Sequence, residues 1–113
     1  MKVSEISSCL QAKFLAGEDL GDLEVNSACG ADLMSDVLAF VKNQTVLLTG
    51  LSNLQVVRTA EMLDVTCIVF VRGKVPGEDV LALAKTKGIP ILTTAHTLYT
   101  ACGILYENGI CGS

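Results

Sequence analysis

The chain has no tryptophan, two tyrosines and three phenylalanines, so aromatics make up only 4% of its 113 residues. That scarcity excludes the base-stacking platforms on which single-stranded nucleic acids are bound. Basic residues are also few, with 8 Lys and Arg against 12 Asp and Glu for a net charge of −4. Unspecific nucleic-acid binding draws its affinity from cations that neutralise phosphates, so it is excluded as well. A single histidine cannot build a multi-His metal site. The five cysteines, Cys9, Cys29, Cys67, Cys102 and Cys111, are odd in number and contain no CxxC pair, which fits neither a disulfide framework nor a zinc ribbon. Reduced thiols are expected.

Other absences concern compartment and catalysis. After Met1, Lys2 and Val3 the chain turns polar and acidic, without the apolar segment of a secretory signal, which predicts a cytoplasmic protein. The long uncharged stretch at 88–106 is broken by Pro90, four threonines and His96, so no membrane insertion is expected. There is no GxxxxGK(S/T) loop, no G-x-S-x-G elbow and no H-E-x-x-H pair. The expectation is a non-enzyme without cofactor or bound metal. Asp32 and Asp36 share a helical face at i, i+4, but such a pair is most simply a solvated surface.

What the chain has in quantity is aliphatic: half its residues are hydrophobic. That excludes disorder and provides one core, in a single domain over 1–113. Three aliphatic runs, 45–49, 65–71 and 89–93, are each followed by a stretch of helical period, the pattern of parallel βα units. The run at 66–71 shows no alternation, as expected of a central strand covered on both faces. Ser52 and Gln55 form a capping-box pattern ahead of the apolar face Val56, Val57, Ala60 and Leu63. Pro76 suits the first turn of a helix whose stripe is Val80, Leu81, Leu83 and Ala84, and Gly88 stops it. A last helix is expected to bury Leu98, Ala101, Cys102 and Leu105. In the first third, Ser4 suits the cap of a helix reaching about Gln11, and 13–16 and 23–27 read as two strands around the turn residues Gly17, Glu18, Asp19 and Gly21. Asp32 reads as the cap of the helix carrying Leu33, Met34, Val37, Leu38 and Val41. The predicted fold is a three-layer α/β domain. Its mostly parallel sheet has about four to five strands, mixed at the N-terminal part, with helices on both faces.

Open α/β sheets bind ligands at the carboxyl ends of their strands, beside helix N-termini whose N–H groups favour anions. That rule selects Thr49, Ser52 and Asn53, then Arg72 and Lys74, then Thr93, Thr94, His96 and Thr97 as candidate ligand-binding residues. Taken singly, each has a bland reading: Ser52 and Thr94 as caps, the cations as a solvated loop, His96 as structural. Their convergence on one edge points to a small anionic, phosphate- or nucleotide-like ligand. Cys29, before Gly30 and Asp32, is a candidate reactive thiol if it lies near the positive end of a helix.

The segments GADLMSDVLAFVK at 30–42, LTGLSNLQVVRTAEM at 48–62, IVFVRGKVP at 68–76, GIPILTT at 88–94 and ACGILYENG at 101–109 resemble the DRTGG domain family. The resemblance runs from about Val3 to Gly112 and looks closest to stand-alone bacterial members found beside iron-only hydrogenase genes. Where the family reads D-R-x-x-T-G-G, this chain has Asp22, Leu23, Glu24, Val25, Asn26, Ser27 and Ala28, so only the Asp matches. The family is similar in fold to the N-terminal domain of HPr kinase/phosphorylase and occurs between CBS domains in some pyrophosphatases and within some phosphate acetyltransferases. The resemblance therefore implies a regulatory or accessory module, with no catalytic residue to carry over. Two functions follow as expectations. The first is a regulatory homodimer that binds a small anion or a partner protein; the second is a purely structural docking domain, suggested by the large apolar fraction.

Overall fold

Four short segments run side by side in one direction: β2 (Ser27–Gly30), β3 (Thr45–Thr49), β4 (Cys67–Phe70) and β5 (Ile91–Thr93). The computed structural model to which they belong describes residues 1–41 and 44–112. The remaining elements are α1 (Val3–Leu10), β1 (Lys13–Ala16), a short 3-10 turn (Glu18–Leu20), α2 (Met34–Phe40), α3 (Leu54–Met62), α4 (Glu78–Lys87), α5 (Leu98–Glu107) and β6 (Cys111–Gly112). The sheet order is β1-β5-β4-β3-β2-β6, with only β1 antiparallel to its neighbour. Six strands thus replace the four to five expected; the two-residue β6 gave no periodic signal.

Handedness explains the layers. The chain steps from β2 to β5 always toward the same edge, and right-handed crossovers then place α2, α3 and α4 on one face. From β5 it jumps back across the sheet to β6, so α5 falls on the opposite face, with α1. Two cores result. On one face Ile6, Leu10, Ala101 and Leu105 pack on Val46, Leu48, Val69 and Leu92. On the other, Val37, Val57, Ala60 and Val80 pack on Leu47, Ile68, Phe70 and Ile91. All residues of β3 and β4 are buried, each large aliphatic side chain contributing roughly 1.5–3 kcal/mol relative to exposure.

Several edges differ from the sequence reading. The strand expected at 23–27 lies at Ser27–Gly30, parallel to β3 and at the far side of the sheet from β1, so the two do not pair. Residues ahead of it are held by the start of α1 and the residues before it: Val3 N–H donates to Leu23 O at 3.0 Å and Val25 N–H to Met1 O at 2.7 Å. Lys2, not Ser4, precedes the first turn of α1, with its N–H bound by Glu5 at 2.9 Å. Asn53 rather than Ser52 caps α3, accepting from Gln55 N–H at 3.0 Å. Pro76 lies before α4, whose N-cap is Gly77, while Gly88 ends that helix at φ 70° as expected. Leu33 and Leu38 are exposed, so α2 buries only Met34 and Val37. Cys102 is half-buried rather than buried, and Lys42, the end of the first resembling segment, lies outside the described residues.

Candidate functional site

The connections leaving β4 and β5 diverge to opposite faces of the sheet, and such a topological switch point is where open α/β sheets form their ligand crevice. Here the two connections are also tied together. Arg72 N–H donates to His96 O and Gly73 N–H to Thr94 O, both at 2.8 Å, and Thr93 Oγ1 donates to Lys74 O at 2.7 Å. Arg72 and Gly73 both take left-handed backbone, at φ 58° and 66°. For the arginine this is an uncommon conformation, held by the two backbone bonds that fix the loop. Beside it lies a hollow of about 290 Å³ lined by Gln11, Lys13, Gly73, Val75, Thr93, Thr94 and Ala95. That volume suits a small ligand, near the lower end of the usual roughly 300–1,000 Å³.

Lys13 reaches this edge because β1 runs antiparallel to β5, with Lys13 opposite Thr93. Among the described residues neither Lys13, Arg72 nor Lys74 forms an ion pair, whereas Lys2 pairs with Asp22 and Lys87 with Glu61. Lys13 thus lines the hollow, and Arg72 and Lys74 flank Gly73 at its rim, in a chain of negative net charge. Thr93 and Thr94 shape the hollow with hydroxyls already engaged. Thr94 Oγ1 donates to Leu10 O at 2.8 Å, so it fastens α1 to the loop and is not a helix cap.

The turn after β3 is built differently. Asp32, expected to cap α2, instead accepts from Gly50 N–H at 2.7 Å and from Thr49 Oγ1 at 3.2 Å. Thr49 Oγ1 in turn accepts from Leu51 N–H at 3.1 Å. The chain's own carboxylate thus occupies the donors that an external anion would use. Ser52 and Asn53 lie beyond it toward α3, and Arg72 arches over the turn, so a Cβ at 50 would lie 2.5 Å from Arg72 Nη2. Thr97 caps α5, accepting from Thr100 N–H at 3.4 Å. Of the nine candidates, the structure brings Arg72, Lys74, Thr93, Thr94 and His96 together, engages Thr49 with Asp32, and leaves Ser52, Asn53 and Thr97 as neighbours at helix starts. Lys13, Gln11 and Asp32 are the residues sequence reasoning missed in these roles. Only the acidic character of Asp32 was visible, and its partner lies 18 residues away.

Cys29 lies within β2, in register with Leu47, and half-buried against the α2–α4 side, five residues before the first residue of α2. Cys102 meets the same strand from the other face, its Sγ against Gly30, and its pKa is raised by burial and by the charge of Cys29. Burial pushes Cys67 up to about 12. Among the described residues there is no cluster of three or more metal-ligating side chains, and no helix long and apolar enough to cross a membrane.

A profile of the DRTGG domain matches residues 5–107. The chain belongs to the DRTGG domain family. In fold this DRTGG domain is similar to the crystal structure of the CBS and DRTGG domains of the regulatory region of Clostridium perfringens pyrophosphatase, complexed with its activator, diadenosine tetraphosphate. The TM-score is 0.75 at 19% identity, over 92% of this chain and 45% of that one, so the DRTGG domain here spans less than half of the chain it resembles. No curated protein sequence matches it.

Proposed function

We propose that this DRTGG domain is a non-catalytic regulatory module that binds a small phosphate-bearing anion where the β4 and β5 connections part. The observation that carries this reading is the hollow at the switch point, lined by Lys13 and by Gly73 between Arg72 and Lys74, with none of the three cations in an ion pair among the described residues. Left-handed Arg72 and the backbone ties to 94–96 hold the loop in place before a ligand arrives, which lowers the ordering cost of binding. The nucleotide in the Clostridium perfringens regulatory region supports the ligand class. We infer the module to be a cytoplasmic homodimer, and we carry the expected place beside iron-only hydrogenase systems as part of the same reading.

The test is thermal denaturation with inorganic phosphate, pyrophosphate, AMP, ADP and diadenosine tetraphosphate. A ligand at a hundredfold excess over its Kd adds about 2.7 kcal/mol, a shift on the order of 10 °C for a domain of this size. Arg72→Ala with Lys74→Ala is expected to abolish the shift while leaving the unliganded midpoint nearly unchanged, since both side chains are exposed. No shift with any of the five compounds, or a shift that survives the double substitution, overturns the reading.

A further inference from the structure

The outer face of α5 carries both tyrosines of an aromatic-poor chain. Tyr99 is 89% exposed and Tyr106 72%, seven residues apart on one side of the helix. Between them stands Gly103, and an open hollow of about 570 Å³ lies along the same face. Gly103 is unexplained within the domain. Its position is mid-helix, where glycine is the least favourable residue after proline, and a Cβ placed there would meet no atom within 4 Å. Among the described residues none fills the space that the glycine leaves.

Resting on the homodimer reading above and giving it a surface, we propose that α5 packs antiparallel against α5 of a second copy, crossing at Gly103. The face is self-complementary, as a two-fold contact requires: a hollow at the centre with a tyrosine on each side, so that Tyr99 of one copy meets Tyr106 of the other. A missing Cβ at the crossing lets two helix backbones approach closely, and tyrosine is among the residues enriched at interfaces. Charge selects the direction. Glu107 lines the hollow four residues from Gly103, so antiparallel copies hold their two carboxylates roughly 12 Å apart along the axis, beyond the screening length of about 8 Å. Parallel copies would set them side by side. The exposed parts of the two tyrosines amount to about 300 Å². A stable interface needs about 800 Å² per partner, so they supply over a third, with the rest of the α5 face and the exposed β6 adjoining.

The experiment is sedimentation velocity of the full chain from low to high micromolar concentration, combined with photo-oxidative dityrosine cross-linking. Since both tyrosines lie on this face, any cross-link reports on it directly. The expected result is a dimer whose cross-linked peptides join Tyr99 to Tyr106. Tyr99→Ser with Tyr106→Ser is expected to weaken the dimer about a hundredfold. Gly103→Ala serves as the second variant, because it favours the isolated helix: the monomer's melting midpoint holds or rises while dimerisation weakens about tenfold. A wild-type chain that stays monomeric overturns the homodimer reading itself. A dimer that survives these substitutions, or links joining only Tyr99 to Tyr99, overturns the assignment to antiparallel α5 and leaves the ligand reading standing.

Discussion

The turn after β3 and the turn after β4 leave neighbouring strands at the same edge of the sheet, and each offers backbone N–H groups near a helix start. At the first, Asp32 binds Gly50 N–H and Thr49 Oγ1, so the turn carries its own anion. At the second, the N–H groups of Arg72, Gly73 and Lys74 are taken by His96 O, Thr94 O and Val71 O, and no described carboxylate pairs with the Arg72 or Lys74 side chain. Both turns thus spend these N–H groups within the chain, one on a carboxylate and the other on carbonyls, and what distinguishes the second is its two unpaired cations. The T-G-L-S-N turn has no lysine of the kind a phosphate loop carries, and its donors are taken. The loop beside it carries cations in place of an internal anion.

The largest effect that bears on this contrast is expected from Asp32→Ala. Removing the carboxylate leaves the N–H of buried Gly50 without its acceptor. Hydrogen bonds to charged groups contribute about 1.5–3 kcal/mol, and Asp32 is itself exposed, so a loss of about 1–2 kcal/mol is expected in chemical denaturation. Phosphate-ligand affinity at Arg72 and Lys74 is expected to hold or rise, because a competing negative charge has gone. A variant as stable as the wild type would mean that the β3 turn does not depend on its internal anion, and the contrast between the turns would fail.

How much of this was legible beforehand follows from the range of each interaction. The βα repeat, the fully buried β4 and the stop at Gly88 are local patterns, and the structure has them. Helix starts were read one residue off at Ser52 because Ser and Asn compete for the cap, and the geometry that favours Asn53 is not written in spacing. The pairing of β1 with β5, which brings Lys13 opposite Thr93, joins segments some 80 residues apart and leaves no periodic trace. Asp32 was misread for the same reason: its nearest plausible partners are the N–H groups of α2, but its actual ones lie across the sheet edge. The conserved-looking name of the family offered no help either, since only Asp22 of its signature is present.

A smaller effect is expected from Thr93→Val, which keeps the shape of β5 and removes the 2.7 Å bond from Thr93 Oγ1 to Lys74 O. One such bond contributes about 1 kcal/mol. Its loss frees the Lys74 loop, so affinity for a phosphate-bearing ligand is expected to fall several-fold along with stability. Titration calorimetry on the variant separates the two outcomes. A stability loss with unchanged affinity would show that the tie does not preorganise the cations.

The smallest effect is expected where the two turns touch. Gly50→Ala would set a Cβ 2.5 Å from Arg72 Nη2, 3.3 Å from its Cζ and 3.4 Å from Asp32 Oδ1. The guanidinium is the far end of a flexible side chain and can swing outward, so denaturation should register well under about 1 kcal/mol. Ligand affinity reports more. With Arg72 displaced from its place over Gly50, a ligand that uses that position binds a few-fold more weakly, whereas one that recruits the arginine after it swings free is unaffected. The first outcome makes the closed turn a support for the open one, and the second makes them independent neighbours.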